Sequence, residues 1–153
     1  MELKEKERTV LQDLQTQEKS CVEKYKRYAA EACDKELRDL FTKIQEAEQK
    51  HYDSITGVLN GDEVPSCNCN DCEGKNYNPS ATYDKNEESE DKKMDCFLAT
   101  DCIGSEKLVS SEYNSDVFVF GSSAIRKLLA DIMIEEQNHA EMLWKYKTVN
   151  GMA

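Results

Sequence analysis

Six ionisable residues of this chain fall on helical faces where apolar side chains are expected. They are four glutamates and the chain's only two histidines, namely Glu18, Glu48, His51, Glu106, Glu136 and His139. An ionised carboxylate that is buried without a partner is very costly, so such groups must be paired or must bind a metal ion. Carboxylate oxygens and neutral imidazoles are both ligands of divalent metal ions. The set therefore predicts a buried site for two metal ions, whose charge would balance the four carboxylates.

The spacing within the set strengthens this prediction. A glutamate and a histidine stand three residues apart twice, as Glu48 with His51 and as Glu136 with His139. Side chains at positions i and i+3 project from one face of a helix and can reach a common point. Two such pairs, each with one more glutamate from another helix, form the ligand set of di-iron and di-manganese carboxylate proteins. No comparable set of lysines or arginines lies on these faces to neutralise the acids instead.

Two tyrosines accompany this set. Tyr25 and Tyr113 follow Glu18 and Glu106 by seven residues, which is two helical turns along the same face. Each tyrosine either donates a hydrogen bond to a ligand carboxylate from behind, or serves as an ordinary core side chain.

Four amphipathic stretches carry these residues, and each repeats apolar positions at intervals of three and four. They predict helices over about residues 3–32, 35–60, 95–120 and 123–149, with Asp34 as an N-cap and Gly61 ending the second helix. We predict one all-α domain spanning residues 1–153, with a first hairpin over 3–60, a crossover over 61–92 and a second hairpin over 93–149. Short links within the hairpins and a long link between them favour a ferritin-like four-helix bundle.

The two hairpins resemble each other. A shift of 88 residues aligns 13–51 with 101–139 without a gap and gives ten identities, including both tyrosines and both Glu-x-x-His pairs. Similar helical composition explains matched leucines and lysines, but not matched histidines and tyrosines. We infer an internal duplication.

The predicted crossover holds a group of thiols, Cys67, Cys69 and Cys72, beside the acidic run KNEESEDKK at residues 85–93. Close thiols in a loop bind a soft metal ion, form a redox disulfide, cross-link chains or remain unliganded. A four-thiolate site would need one more ligand, such as Cys96, Cys102 or a cysteine of a second subunit.

Charge and composition exclude some functions. The formal net charge is −11, so we expect neither nucleic acid nor an anionic membrane surface as a partner, because both require a basic surface. No segment approaches the roughly 18 apolar residues of a membrane span, and the first ten residues are too charged for a secretory signal. We expect a cytoplasmic protein whose seven cysteines are mostly reduced.

At these residues the sequence resembles the ferritin-like superfamily, particularly rubrerythrins and bacterioferritins. The segment EKSCVEKY at residues 18–25, followed by Phe41, Ile44, Glu48 and His51, looks like the rubrerythrin pattern with a turn shortened by three residues. The segments DLQTQEK at residues 13–19 and DKELRDLF at residues 34–41 are similar to the spore coat F family of endospore-forming bacteria. The two hairpins, about three quarters of the chain, carry these resemblances, and the metal motif is their specific part.

The resemblance implies a di-iron centre that reacts with peroxide or dioxygen, or that oxidises ferrous iron, together with an unidentified electron donor. Glu18 and Glu106 would be terminal ligands, Glu48 and Glu136 bridging ligands, and the histidines one nitrogen ligand to each metal. These six would be the catalytic residues. Manganese, or a mixed iron and manganese pair, is the alternative, because the ligands accept both metals. The resemblance also implies a homodimer.

Some features depart from these families. Rubrerythrins carry a further glutamate one turn after the third-helix ligand, where this chain has Val109, and they usually carry a rubredoxin module with paired Cys-x-x-Cys motifs that is missing here. Gln49 stands where bacterioferritins place their haem-binding methionine, so we expect no haem. The chain also lacks the extra helix of cage ferritins, so we expect no storage shell. A structural coat protein of the coat F type, located in the spore coat and retaining a metal site, is the alternative function.

Overall fold

A computed structural model of the chain describes residues 2–66 and 68–152, so Cys67 lies outside the described residues. The described residues form helices and connecting segments, without a β-strand. The helices are α1 (Glu5–Glu31), α2 (Lys35–Asn60), α3 (Cys72–Asn76), α4 (Glu90–Asp116) and α5 (Ser123–Val149), with a 3-10 turn over Val117–Val119 between the last two. The prediction of an all-α protein is confirmed.

Local signals at the helix ends explain these bounds. The side chain of Asp34 accepts a hydrogen bond from the backbone N–H of Glu36, and Ser89 and Ser122 cap α4 and α5 in the same way. Gly61 ends α2 in the left-handed conformation, with φ 89°, which glycine adopts without steric cost. The cap at Ser89 starts α4 at Glu90, five residues before the expected start at Asp95.

The four long helices pack mainly in two pairs, α1 with α2 and α4 with α5. Arg8 near the start of α1 donates a hydrogen bond to the carbonyl of Leu59, and Gln15, two turns later, donates one to Thr56, so α1 and α2 run antiparallel. Equivalent arginines close the two turns. Arg38 donates to the carbonyls of residues 32 and 33, and Arg126 donates to those of residues 120 and 121, at the same offset of 88.

The buried apolar residues form two clusters. Leu14, Ile55 and Leu129 belong to the first cluster, and Tyr25, Ile44 and Leu143 belong to the second. Along α1 the buried side chains pass from Leu14 through Glu18 to Tyr25. The six buried ionisable residues singled out in the sequence therefore lie in a layer between the two apolar clusters.

The segment over residues 61–92, which we expected to be a loop, differs from that expectation. It contains α3, which packs on α5, and it ends with the first turn of α4. The ammonium group of Lys92 is buried and donates to the carbonyls of Asp84, Lys85 and Glu87 at 2.9–3.2 Å. One buried lysine thus satisfies three backbone carbonyls, two of them in the acidic run, and fixes the segment to the helices.

Among the described residues, no helix is both long enough and apolar enough to cross a membrane.

Candidate metal centre

The structure brings together all six residues that the sequence analysis selected. Each long helix contributes to the centre, with Glu18 on α1, Glu48 and His51 on α2, Glu106 on α4, and Glu136 and His139 on α5. All six side chains are buried, with residue exposures between 0% and 3%. The helical periodicity that buries the neighbouring apolar residues buries these polar ones as well.

The six residues form two overlapping groups, each able to hold a metal ion. One group contains Glu18 and His51, the other contains Glu106 and His139, and both contain Glu48 and Glu136. Within each group the potential ligand atoms lie within 4.8 Å of one another. The two shared carboxylates therefore stand between two positions that have one histidine and one further glutamate each.

Both histidines present Nδ1 to these carboxylates. Nδ1 of His51 lies 3.1 Å from Glu48, 3.1 Å from Glu136 and 3.6 Å from Glu18. Nδ1 of His139 lies 3.3 Å from Glu48, 3.5 Å from Glu106 and 3.8 Å from Glu136. The two rings stack with their centroids 6.1 Å apart. The two histidines, which stand 88 residues apart, thus have approximately equivalent surroundings.

Each of the two tyrosines forms a hydrogen bond with a glutamate of the other hairpin. The hydroxyl of Tyr25 on α1 donates to Glu106 on α4, and that of Tyr113 on α4 donates to Glu18 on α1. Both tyrosines are fully buried, so they are core side chains and also carboxylate partners. Each hydroxyl occupies the outer oxygen Oε1 of its glutamate and leaves Oε2 directed to the centre.

The buried polar atoms without a hydrogen-bond partner among the described residues all belong to this centre. They are Oε2 of Glu18, Oε1 of Glu48, Oε2 of Glu106, both Oε atoms of Glu136 and Nδ1 of His139. Within residues 2–66 and 68–152, no lysine or arginine forms an ion pair with these glutamates. A buried polar atom without a partner costs about 1–3 kcal/mol, and more when it is charged. Converging oxygens and one imidazole nitrogen, all lacking donors, fit metal ions.

Ionisation of the metal-free cluster is strongly perturbed. Burial raises the pKa of Glu18 to about 8, and burial together with the nearby Glu136 and Glu48 raises the pKa of Glu106 well above its usual range. Burial also opposes the ionisation of Glu136, but the adjacent Glu106 carboxyl and the two nearby histidines outweigh burial and hold its pKa well below the usual value. Without metal the cluster thus retains protons on the two unshared carboxyls.

A residue that the sequence analysis missed, Glu135, contacts His51 from outside the cluster. Nε2 of His51 forms a hydrogen bond with Oε2 of Glu135, and Oε1 of Glu135 accepts a hydrogen bond from the thiol of Cys69 at 2.8 Å. A carboxylate at Nε2 keeps the proton on that nitrogen and leaves the Nδ1 lone pair for a metal ion. The only sequence signal was an acidic residue directly before Glu136, whereas the corresponding residue of the first hairpin is Ala47.

The predicted thiol group is only partly described. Cys69 contacts Glu135, while Cys72 is exposed at the start of α3, and Cys67 lies outside the described residues. Among the described residues, the groups that could hold a metal ion contain no cysteine. Cys102 is buried in the second apolar cluster and Cys96 lies near the carbonyl of Met152, at 3.7 Å. Val109, in place of the further rubrerythrin glutamate, is buried in the first apolar cluster.

Comparison of the chain with protein-family models, curated proteins and solved structures gave no match.

Proposed function

We propose that the chain is a ferritin-like di-metal protein and acts as an oxidoreductase on peroxide, dioxygen or ferrous iron. The observation that supports this proposal best is the set of converging, unpartnered ligand atoms in two groups that share two carboxylates. A chain selected only for packing would gain stability from apolar side chains at these six positions. Their retention favours a working site.

In this proposal Glu18 and Glu106 would each hold one metal ion, Glu48 and Glu136 would be the bridging residues shared by both ions, and each histidine would hold one ion through Nδ1. This assignment agrees with the membership of the two groups, since only the proposed bridging residues belong to both. Iron is the proposed metal; manganese, or one ion of each, is the alternative. No haem is proposed.

When bound, an iron pair would supply the electrons that reduce peroxide or dioxygen, or would accept them from ferrous iron. The chain itself contributes three things to such a reaction. The two apolar clusters flank the centre along the helices, Tyr25 and Tyr113 orient the terminal carboxylates, and the unshared carboxyls release their protons when cations bind.

We further propose that the helices form a ferritin-like four-helix bundle that arose by duplication. The equivalent arginines at the two turns and the reciprocal tyrosines support this idea. A homodimer located in the cytoplasm, reduced by a separate electron donor, completes the proposal.

The test begins with metal analysis of protein purified without chelators or affinity-tag metal. We expect about two iron or manganese ions per chain, as in the di-metal proteins with this ligand set, and their loss in the His51→Ala/His139→Ala double variant. Peroxide turnover that depends on ferrous loading should disappear in Glu48→Ala and persist in Glu46→Ala, an exposed position on the same helix.

Absence of metal, with none taken up from anaerobic ferrous ion, would refute the site. Full occupancy with no turnover of peroxide, dioxygen or ferrous iron would instead support the structural coat-protein role.

A further inference from the structure

A groove between α4 and α5 leads from the surface to the buried cluster. Its wall includes the polar or small side chains of Lys107, Ser110, Ser111, Asn114, Gln137 and Ala140, together with the apolar side chain of Met133. Glu106 and Glu136, one proposed terminal ligand and one proposed bridging ligand, form part of the same lining. Two residues of the buried cluster therefore border a groove that is open to solvent.

The first hairpin carries a counterpart of this groove that stops short of the cluster. It is lined by Lys19, Val22, Glu23, Gln49 and Tyr52. Each of these residues stands 88 positions before a residue of the α4/α5 groove. Its volume is about 220 Å³, against about 440 Å³ for the α4/α5 groove, and neither Glu18 nor Glu48 lines it.

Two substitutions between the repeats explain the difference. Val22 of the first hairpin corresponds to Ser110, and Tyr52 corresponds to Ala140. Val22 and Tyr52 are both half-buried, so their side chains fill space that remains open beside Ser110 and Ala140. A phenol ring in place of a methyl group is the larger of the two changes.

The opposite side of α5 is closed by the segment between α2 and α4. There Asn138 accepts a hydrogen bond from the backbone of Gly74 and donates to the carbonyl of Asn70, and Lys145 donates to the carbonyl of Gly74. Metal ions and small ligands reaching α5 from outside therefore find the α4 side open and the other side covered.

We propose that the α4/α5 groove is the access route by which divalent metal ions and small polar ligands reach the buried cluster. This proposal rests on the proposed di-metal site and specifies the side of the protein from which that site is reached. Hydroxyl and amide groups along the wall can replace part of the hydration shell of a small polar species during its passage. Glu106 and Glu136 at the base can offer ligand oxygens to an arriving cation, whereas Tyr52 and Val22 close the equivalent path on the first hairpin.

In the test, the metal-free full-length protein is mixed rapidly with Co²⁺. The visible absorption of the bound cobalt then reports how fast the ion enters the cluster. Ala140→Tyr places in the groove the residue that closes its counterpart. We expect uptake to slow by about tenfold, which equals a rise of about 1.4 kcal/mol in the barrier, while the final cobalt content stays unchanged. Tyr52→Ala is the matched control on the other hairpin and should not slow uptake.

Ser110→Val, which introduces the residue found at position 22, provides a second and smaller obstruction if Ala140→Tyr does not fold. Circular dichroism identifies folded variants. Unchanged uptake rates in the folded obstructed variants would overturn the groove while leaving the metal site intact. A wild-type chain that binds no cobalt at all would overturn the metal site and the groove with it.

Discussion

At the scale of single residues, the centre depends on hydrogen bonds that direct its carboxylates. The hydroxyls of Tyr25 and Tyr113 each satisfy one oxygen of a glutamate on the opposite hairpin, and Glu135 does the same for His51. Such outer partners fix the orientation of the ligands, and their mutation typically costs about 10- to 100-fold in metal affinity or activity.

We predict that Tyr25→Phe lowers metal affinity by about 10- to 100-fold, because Glu106 loses the donor that orients its carboxylate. Tyr113→Phe should have a similar effect through Glu18. Competition with a chelator of known affinity measures the loss. Tyr28→Phe is the control, since that hydroxyl donates to Asp101 at 2.8 Å, away from the cluster. An equal loss in Tyr28→Phe would show that the effect is not specific to the centre.

At the scale of elements, the helices and the proposed ligands could both be predicted from the sequence, because the same helical periodicity determines where the helices lie and which of their residues are buried. The face of α2 that buries Ile44 and Ile55 also buries Glu48 and His51. The residues of the centre can therefore be identified from their positions in the helical repeat. Glu135 and Cys69 could not be found in this way. They meet because the segment between α2 and α4 runs along the surface of α5. Tertiary hydrogen bonds hold the segment there, and the residues that form these bonds follow no repeating pattern in the sequence.

Gly74 lies close against α5. A β-carbon at position 74 would lie 2.5 Å from the carboxylate of Glu141 and 2.9 Å from the amide oxygen of Asn138. Real β-carbons essentially never approach other atoms so closely. The buried Asn138 has little room to move, because it also holds the carbonyl of Asn70.

We therefore predict that Gly74→Ala destabilises the protein by about 1–3 kcal/mol and increases amide hydrogen exchange around α3. The matched variant is Gly104→Ala on α4, where a β-carbon would meet nothing within 4 Å. That change should stabilise the helix by about 0.5–1 kcal/mol. Urea denaturation measures both variants, and a neutral Gly74→Ala would show that the close approach does not matter.

At the scale of the whole molecule, stability is coupled to pH through the buried cluster. In the metal-free chain, burial raises the pKa of Glu18 from 4.5 to about 8 and raises that of Glu106 well above 4.5. Between these values the folded chain retains protons that the unfolded chain has released. Since the folded state binds more protons, its stability falls as pH rises through this window.

The two histidines act in the same direction. Burial disfavours their charged forms, but the surrounding carboxylates outweigh burial and hold the pKa of each well above 6.5. Their contribution to stability is complete below about pH 6.5, the pKa of an unperturbed histidine, and is lost at higher pH. Glu48 and Glu136 have lowered pKa values, so they are ionised in both states within this window and contribute no slope.

We predict that the free energy of unfolding of the metal-free protein decreases between about pH 5 and pH 8, by about 1 kcal/mol per pH unit for each carboxyl that retains its proton. Metal ions displace these protons, so the difference in stability between loaded and metal-free protein should widen as pH rises. Urea titrations with and without chelator measure both curves. Glu106→Gln should reduce the slope, and a metal-free stability that rises over this range would contradict the prediction.

The reciprocal tyrosines have a consequence for the history of the chain. Each hairpin supplies the tyrosine that the other hairpin's glutamate needs, so a lone hairpin would lack part of its own centre. Two copies of one hairpin, related by a twofold axis, would together present every ligand and both tyrosines. The proposed duplication would then have joined two subunits that already shared one centre. Once joined, the two halves would have been free to diverge, which would account for Tyr52 and Ala47 in one and Ala140 and Glu135 in the other.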